Sequence, residues 1–106
     1  MEAEVIHNQI RTEQAKLSLV IPVYQEGSHI KNSIGVIESI LIDHRIPYEF
    51  ILVDDGSKDN TWQQLRELSF GNENITSILL SRNFGKEAAL CAGLDHATGD
   101  MVLVMD

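Results

Sequence analysis

Residues 50–57 read Phe-Ile-Leu-Val-Asp-Asp-Gly-Ser: four apolar residues, two adjacent carboxylates, then the glycine and serine of a tight turn. An unbroken apolar run of this length fits a strand covered on both faces, as in a parallel sheet. In open parallel sheets, ligands bind just beyond the carboxyl ends of the strands. Asp54 and Asp55 therefore stand where a ligand site is expected. Three other apolar segments end in polar chemistry. Leu17–Tyr24 runs into Gln25 and Glu26, residues 75–80 into Ser81-Arg82-Asn83-Phe84-Gly85-Lys86, and residues 101–105 into Asp106. If these strands are parallel, their ends share one edge. Tyr24 can then stack on a base, and the carboxylates can accept hydrogen bonds from base N–H groups and ribose hydroxyls. Arg82 or Lys86 can face phosphate, and Asp106 can hold a divalent cation that also grips the phosphates. That inventory suits a nucleotide.

Taken singly, each residue has a plainer reading: turn chemistry for Asp-Asp-Gly-Ser, rim packing for Tyr24, solvated charge for Arg82 and Lys86. Their succession at strand ends is what favours a site, so the elements between them matter. Residues 28–44 carry Ile30, Ile34, Ile37 and Leu41 at helical spacing, with Val36 and Ile40 expected to widen the stripe, Ser28 expected as N-cap and Pro47 just beyond the end. A second helix is expected over 59–70, capped by Asp59 or Thr61. Thr61 and Gln64 have the spacing of a capping box, and Trp62, Leu65 and Leu68 form the apolar face. A third, alanine-rich helix is expected over 87–97, with Gly99 in the left-handed position that ends many helices. Strands at 17–24, 49–53, 75–80 and 101–105 complete a β-α-β-α-β-α-β order. That alternation predicts an α/β fold, a Rossmann-like parallel sheet with flanking helices.

The bulk properties narrow the function. The 106 residues make one domain at most, with 16 acidic against 8 basic residues and a net charge of −8. A nucleic-acid surface needs clustered Lys and Arg, so none is expected, and no polybasic membrane patch occurs either. The single cysteine, Cys91, excludes an internal disulfide and a cysteine-based zinc cage. The four histidines show no ligand-like spacing. No apolar run reaches the roughly 18–20 residues of a membrane helix, and a cytoplasmic location is expected. Residues 1–16 are polar and mixed in charge, and read as a leader rather than a signal peptide. No P-loop and no G-x-G-x-x-G is present.

The chain from Leu17 onward resembles the nucleotide-binding half of family 2 glycosyltransferases, the inverting, nucleotide-sugar-dependent kind with a glycosyltransferase A-type fold. The matching segments are Val20-Ile21-Pro22-Val23-Tyr24-Gln25-Glu26, Val53-Asp54-Asp55-Gly56-Ser57-Lys58-Asp59-Asn60-Thr61, Ser81-Arg82-Asn83-Phe84-Gly85-Lys86-Glu87-Ala88-Ala89-Leu90, and Gly99-Asp100 with the strand to Asp106. The Arg-Asn-Phe-Gly-Lys stretch most resembles the subgroup that glycosylates polyprenyl phosphates. The resemblance implies that Pro22, Tyr24, Glu26 and Asp55 line a nucleoside pocket, with Asp54 supporting the turn. Arg82 and Lys86 would lie near the base and diphosphate, and Asp106 would be the first acid of an Asp-x-Asp motif binding Mg²⁺ or Mn²⁺. It further implies a UDP- or GDP-sugar donor, a lipid-phosphate acceptor and a cell-envelope role.

The second acid of that motif and the acceptor half are not among these 106 residues, which by themselves are expected not to transfer sugar. A sheet cut after its fourth strand is also expected to self-associate through the open edge. The rival reading is a receiver-like phosphoacceptor module. Its acid pair would follow the first strand, whereas a strand and a helix precede Asp54 here.

Overall fold

The computed structural model describes residues 15–105. The leader up to residue 14 and Asp106 lie outside the described residues. The elements alternate as expected: β1 (Leu17–Val23), α1 (Ile30–Asp43), β2 (Tyr48–Asp54), α2 (Thr61–Phe70), β3 (Ile75–Leu79), α3 (Lys86–His96) and β4 (Met101–Val104). All strand pairs are parallel, in the order β3-β2-β1-β4. The chain winds outward from β1 through β2 to β3, then returns so that β4 lies on the other side of β1. The gap between the ends of β1 and β4 is thus the switch point at which open α/β sheets bind ligands. This order also excludes the receiver reading. Receiver sheets run 2-1-3-4-5, with β3 beside β1; here β3 pairs with β2.

Period-two alternation sends the two sides of each strand into different layers. Leu19, Ile21, Val23, Phe50 and Leu52 pack with Ile30, Ile34 and Leu41 of α1 and Leu65 of α2. Val20, Ile51 and Val53 face α3, where Ala89 is buried among them. The approach of α3 is close because Gly93 has no side chain: a Cβ there would sit 2.4 Å from a Val20 methyl. Beyond β1, all four residues of β4 remain 44–51% exposed. No helix among the described residues is long and apolar enough to cross a membrane.

Three of the expected helix ends are built differently. Ser28 lies within a turn before α1. His29 occupies the N-cap without a side-chain cap, and the Glu26 carbonyl accepts the His29 and Ile30 amides instead. Thr61 forms no capping box, because its hydroxyl is engaged across the loop with the Glu26 amide. Gly99 is not left-handed; α3 leaves through an extended Ala97. Glycine is required at 99 for space, since a Cβ would lie 2.6 Å from Ser18 Oγ and 2.7 Å from the Lys16 carbonyl oxygen. Left-handed closure occurs at α1, where Arg45 has φ +56°. The Ile46 amide bonds to Leu41 O and the Arg45 amide to Ile42 O, the Schellman pattern usually completed by glycine.

The edge opposite the strand ends is tied together by one carboxylate. Glu49 Oε2 accepts from the Ser18 hydroxyl and from the Thr98 amide and hydroxyl, and Lys16 Nζ lies 3.5 Å from Oε1. Burial pushes the Glu49 carboxyl up. The bonds from Ser18 and Thr98, with the Lys16 charge, outweigh it and hold the group below its ordinary value. A depressed carboxyl stabilises the fold above its unfolded value, near pH 4.3, and loses that contribution as pH falls through the folded value. Urea midpoints should therefore drop on acidification below about pH 5. Glu49→Gln should lose about 1–3 kcal/mol at pH 7 and show a flatter acid limb. An unchanged acid limb in the variant would show that Glu49 carries none of this dependence.

Candidate functional site

Five of the seven residues expected at a nucleotide site line one hollow. Pro22, Tyr24, Glu26, Asp55 and Lys86, with Val23, surround a cavity of about 180 Å³ at the carboxyl end of β1. This is smaller than the roughly 300–1,000 Å³ of whole small-molecule pockets, and suits one portion of a larger ligand. A larger hollow, about 650 Å³, opens at the opposite sheet edge near Leu17, Pro47 and Met101. No acidic side chain lines it and no strand ends there, so the chemistry points to the smaller one.

The two adjacent carboxylates do different jobs. Asp54, the last residue of β2, follows the alternation of Phe50 and Leu52 and is wholly buried. Its Oδ1 accepts the Ser57 amide at 2.9 Å, which closes the turn, and its Oδ2 has no partner among the described residues. Asp55 reaches the side on which α3 lies. Its amide donates to Val23 O at 2.9 Å, and its carboxylate accepts the Phe84 amide at 2.8 Å and the Gly85 amide at 3.1 Å. Asp55 thus faces the cavity and also pins the segment that leads into α3. A carboxylate has about four lone-pair sites, so further acceptor capacity remains.

Gly56 lets that segment lie down. It has φ +72°, and a Cβ there would fall 2.3 Å from Arg82 C and 2.5 Å from Asn83 N. Lys86 opens α3 and lines the cavity. Arg82 does not: its guanidinium sits over the Phe84 ring, 4.7 Å from the centroid, a cation–π contact. Asp54 and Arg82 are therefore the two expected residues that do not line the cavity: Asp54 is buried, and Arg82 is exposed on the neighbouring loop.

Tyr24 and Glu26 hang on the short loop after β1, and three successive amides of that loop are held from across the site. Gln25 N donates to Ser57 Oγ at 2.8 Å, Glu26 N to Thr61 Oγ1 at 2.9 Å, and Gly27 N to Asp59 Oδ2 at 3.3 Å. Gln25 itself is left-handed, φ +56°, a conformation costing a non-glycine residue about 1–2 kcal/mol. Residue-type reasoning assigned Asp59 and Thr61 only to helix capping. The alternate spacing Ser57-x-Asp59-x-Thr61 was the available signal, but its partners lie more than 30 residues earlier in the chain.

No cluster of three or more metal-ligating side chains occurs among the described residues. Two adjacent carboxylates on opposite sides of the strand do not make such a cluster, so the described residues do not fit a divalent ion by themselves. Asp106, the residue expected to bind metal, lies outside them. The end of β4 nevertheless opens on the same sheet edge as Tyr24, because β4 runs parallel to β1.

Residues 18–106 match the sequence pattern of Glycosyl transferase family 2. The chain belongs to that family. This family 2 chain is 44% identical over 91 residues to an uncharacterized glycosyltransferase of Synechocystis sp., covering 86% of this chain and 29% of that protein. It is 39% identical over 93 residues to the Bacillus subtilis protein CsbB, whose glycosyltransferase name is provisional, covering 88% and 28%. The chain thus spans less than a third of the length of these curated relatives. Among solved structures it is similar to the mannosyltransferase PcManGT of Pyrobaculum calidifontis, in complex with GDP-Man and Mn²⁺. That match has a TM-score of 0.70 and 26% identity, over 83% of this chain and 26% of the other.

Proposed function

We propose that residues 17–106 form the donor-binding part of a glycosyltransferase that moves a hexose from a nucleoside-diphosphate sugar, with inversion, to a polyprenyl phosphate. The observation that carries this reading is the convergence of Tyr24, Glu26, Asp55 and Lys86 on one cavity at the strand ends. In it, Tyr24 packs against the nucleoside, Glu26 and Asp55 accept from base N–H groups and hydroxyls, and Lys86 faces the diphosphate. Arg82, stacked on Phe84 beside the cavity, is proposed to lie near the base and diphosphate. UDP is favoured over GDP, and the acceptor class follows from the likeness of Arg82–Lys86 to polyprenyl-phosphate transferases. Asp106 is the candidate ligand for Mg²⁺ or Mn²⁺. Such an ion would offset charge on a departing nucleoside diphosphate.

Because the chain covers so little of its relatives' length, these residues are proposed to bind donor without transferring it. Titration calorimetry with UDP, GDP and Mn²⁺ on residues 1–106 should show UDP binding with a Kd on the order of 1 mM or tighter. Absence of binding to either nucleotide would overturn the donor-site reading. Turnover of a radiolabelled donor by these residues alone would overturn the division between binding and transfer.

A further inference from the structure

We propose that Ser57, Asp59 and Thr61 are positioning residues: together they clamp the loop after β1 so that Glu26 is presented to the cavity, and they set nucleotide affinity without touching the nucleotide. The inference rests on the donor-site reading of that cavity. None of the three lines it, and Thr61 is wholly buried.

Their geometry goes beyond ordinary turn formation. A turn satisfies its own backbone, whereas these three side chains take the amides of Gln25, Glu26 and Gly27, one each, from another loop. The bonding is reciprocal, since Gln25 Oε1 accepts the Lys58 amide at 2.7 Å and the Asp59 amide at 3.3 Å. The polarity of the central contact is also set. Asp59 Oδ1 accepts both the Thr61 amide, at 3.0 Å, and the Thr61 hydroxyl. With its proton committed to Asp59, the Thr61 oxygen presents a lone pair to Glu26 N–H. The Thr61 hydroxyl and amide hold the Asp59 carboxyl below its ordinary value, so the acceptor stays charged at neutral pH.

Two backbone features show that the clamp over-determines the loop. Gln25 is kept left-handed, a strained state that persists only where its surroundings enforce it. Gly27 approaches so closely that a Cβ would lie 1.9 Å from Asn60 Oδ1. Glu26 is otherwise exposed and follows the end of β1, where the ladder bonds stop. Its carbonyl is held by the His29 and Ile30 amides, and on the amide side its direction is set by Thr61 and by its neighbours in the clamp.

The test is a double-mutant cycle on nucleotide affinity. Thr61→Val keeps the shape and removes the acceptor for Glu26 N–H. It should weaken UDP binding about 10-fold, and Thr61→Ser should restore it. In a Glu26→Ala background, the effect of Thr61→Val should shrink to about twofold or less, because there is no longer a carboxylate to misplace. Equal weakening in both backgrounds, or a lowered Tm with affinity unchanged, would overturn the positioning role while leaving the donor site intact. If the unaltered chain binds no nucleotide, the donor-site reading falls and this role falls with it. Should Thr61→Val fail to fold, Ser57→Ala removes only the Gln25 anchor, and the same cycle with Glu26→Ala decides the question.

Discussion

Replacing Asp55 by alanine is expected to weaken the fold by about 2–4 kcal/mol and to remove measurable UDP binding. Two separate consequences of one carboxylate produce this. Asp55 is 5% exposed, and its oxygens receive the Phe84 and Gly85 amides just before α3. Hydrogen bonds to a charged group contribute roughly 1.5–3 kcal/mol each, less where, as at Phe84, the donor's residue is exposed and water can replace the lost acceptor. Alanine would therefore free the segment that carries Lys86 while also deleting an acceptor from the cavity. Asp55→Asn should fall between the two: it keeps one carbonyl acceptor, loses the charge, and turns an N–H₂ toward donors. Urea unfolding and calorimetry on the same samples separate the two effects. A stability loss below about 0.5 kcal/mol would mean that the two amides find other partners and that the pinning role is wrong.

Gly56→Ala is expected to lower stability by about 3 kcal/mol or more and to weaken nucleotide binding, although the residue contributes no side chain. Its φ of +72° costs an L-residue about 1–2 kcal/mol. The contact is the larger obstacle, because the new methyl would lie 2.3 Å from Arg82 C and 2.5 Å from Asn83 N. Those are backbone atoms of a segment that Asp55 fastens two residues later, so relief requires moving the segment. Gly56→Asn separates the causes. Asparagine tolerates left-handed backbone well but carries the same Cβ. If Asn restores most of the stability, strain dominates and the close approach of the 82–83 backbone is not limiting. If Asn is as harmful as Ala, the contact dominates.

Much of this arrangement is legible residue by residue. The apolar runs 17–23 and 50–53 and the stripe Ile30, Ile34, Ile37, Leu41 give the right elements, because periods of 2.0 and 3.6 are properties of the local backbone. Element ends are less legible, because they are set by contacts from elsewhere in the chain. Thr61 and Gln64 have the spacing of a capping box, yet the Thr61 hydroxyl bonds to Glu26, 35 positions earlier. Gly99 sits where a helix cap belongs, yet its function is to leave room for Ser18 and Lys16. Arg82 looks like a phosphate ligand by charge, yet it sits over Phe84. At Thr61 and Gly99 a residue suited to a local role instead meets partners far away in the sequence.

The sequence by itself determined the alternation of strands and helices, the placing of acids, an aromatic ring and cations at strand ends, and membership of glycosyl transferase family 2. These follow from local periodicity and from short motifs that need no knowledge of packing. Only the tertiary structure decided how Asp54 and Asp55 divide their work. Neighbouring residues at a strand end point to opposite layers. The positions of α1, α2 and α3 around the β3-β2-β1-β4 sheet bury the first carboxylate and open the second to the cavity. The same packing brings Ser57, Asp59 and Thr61 against the amides of Gln25, Glu26 and Gly27. Those bonds join loops that follow different strands, so they exist only once β1 and β2 have paired.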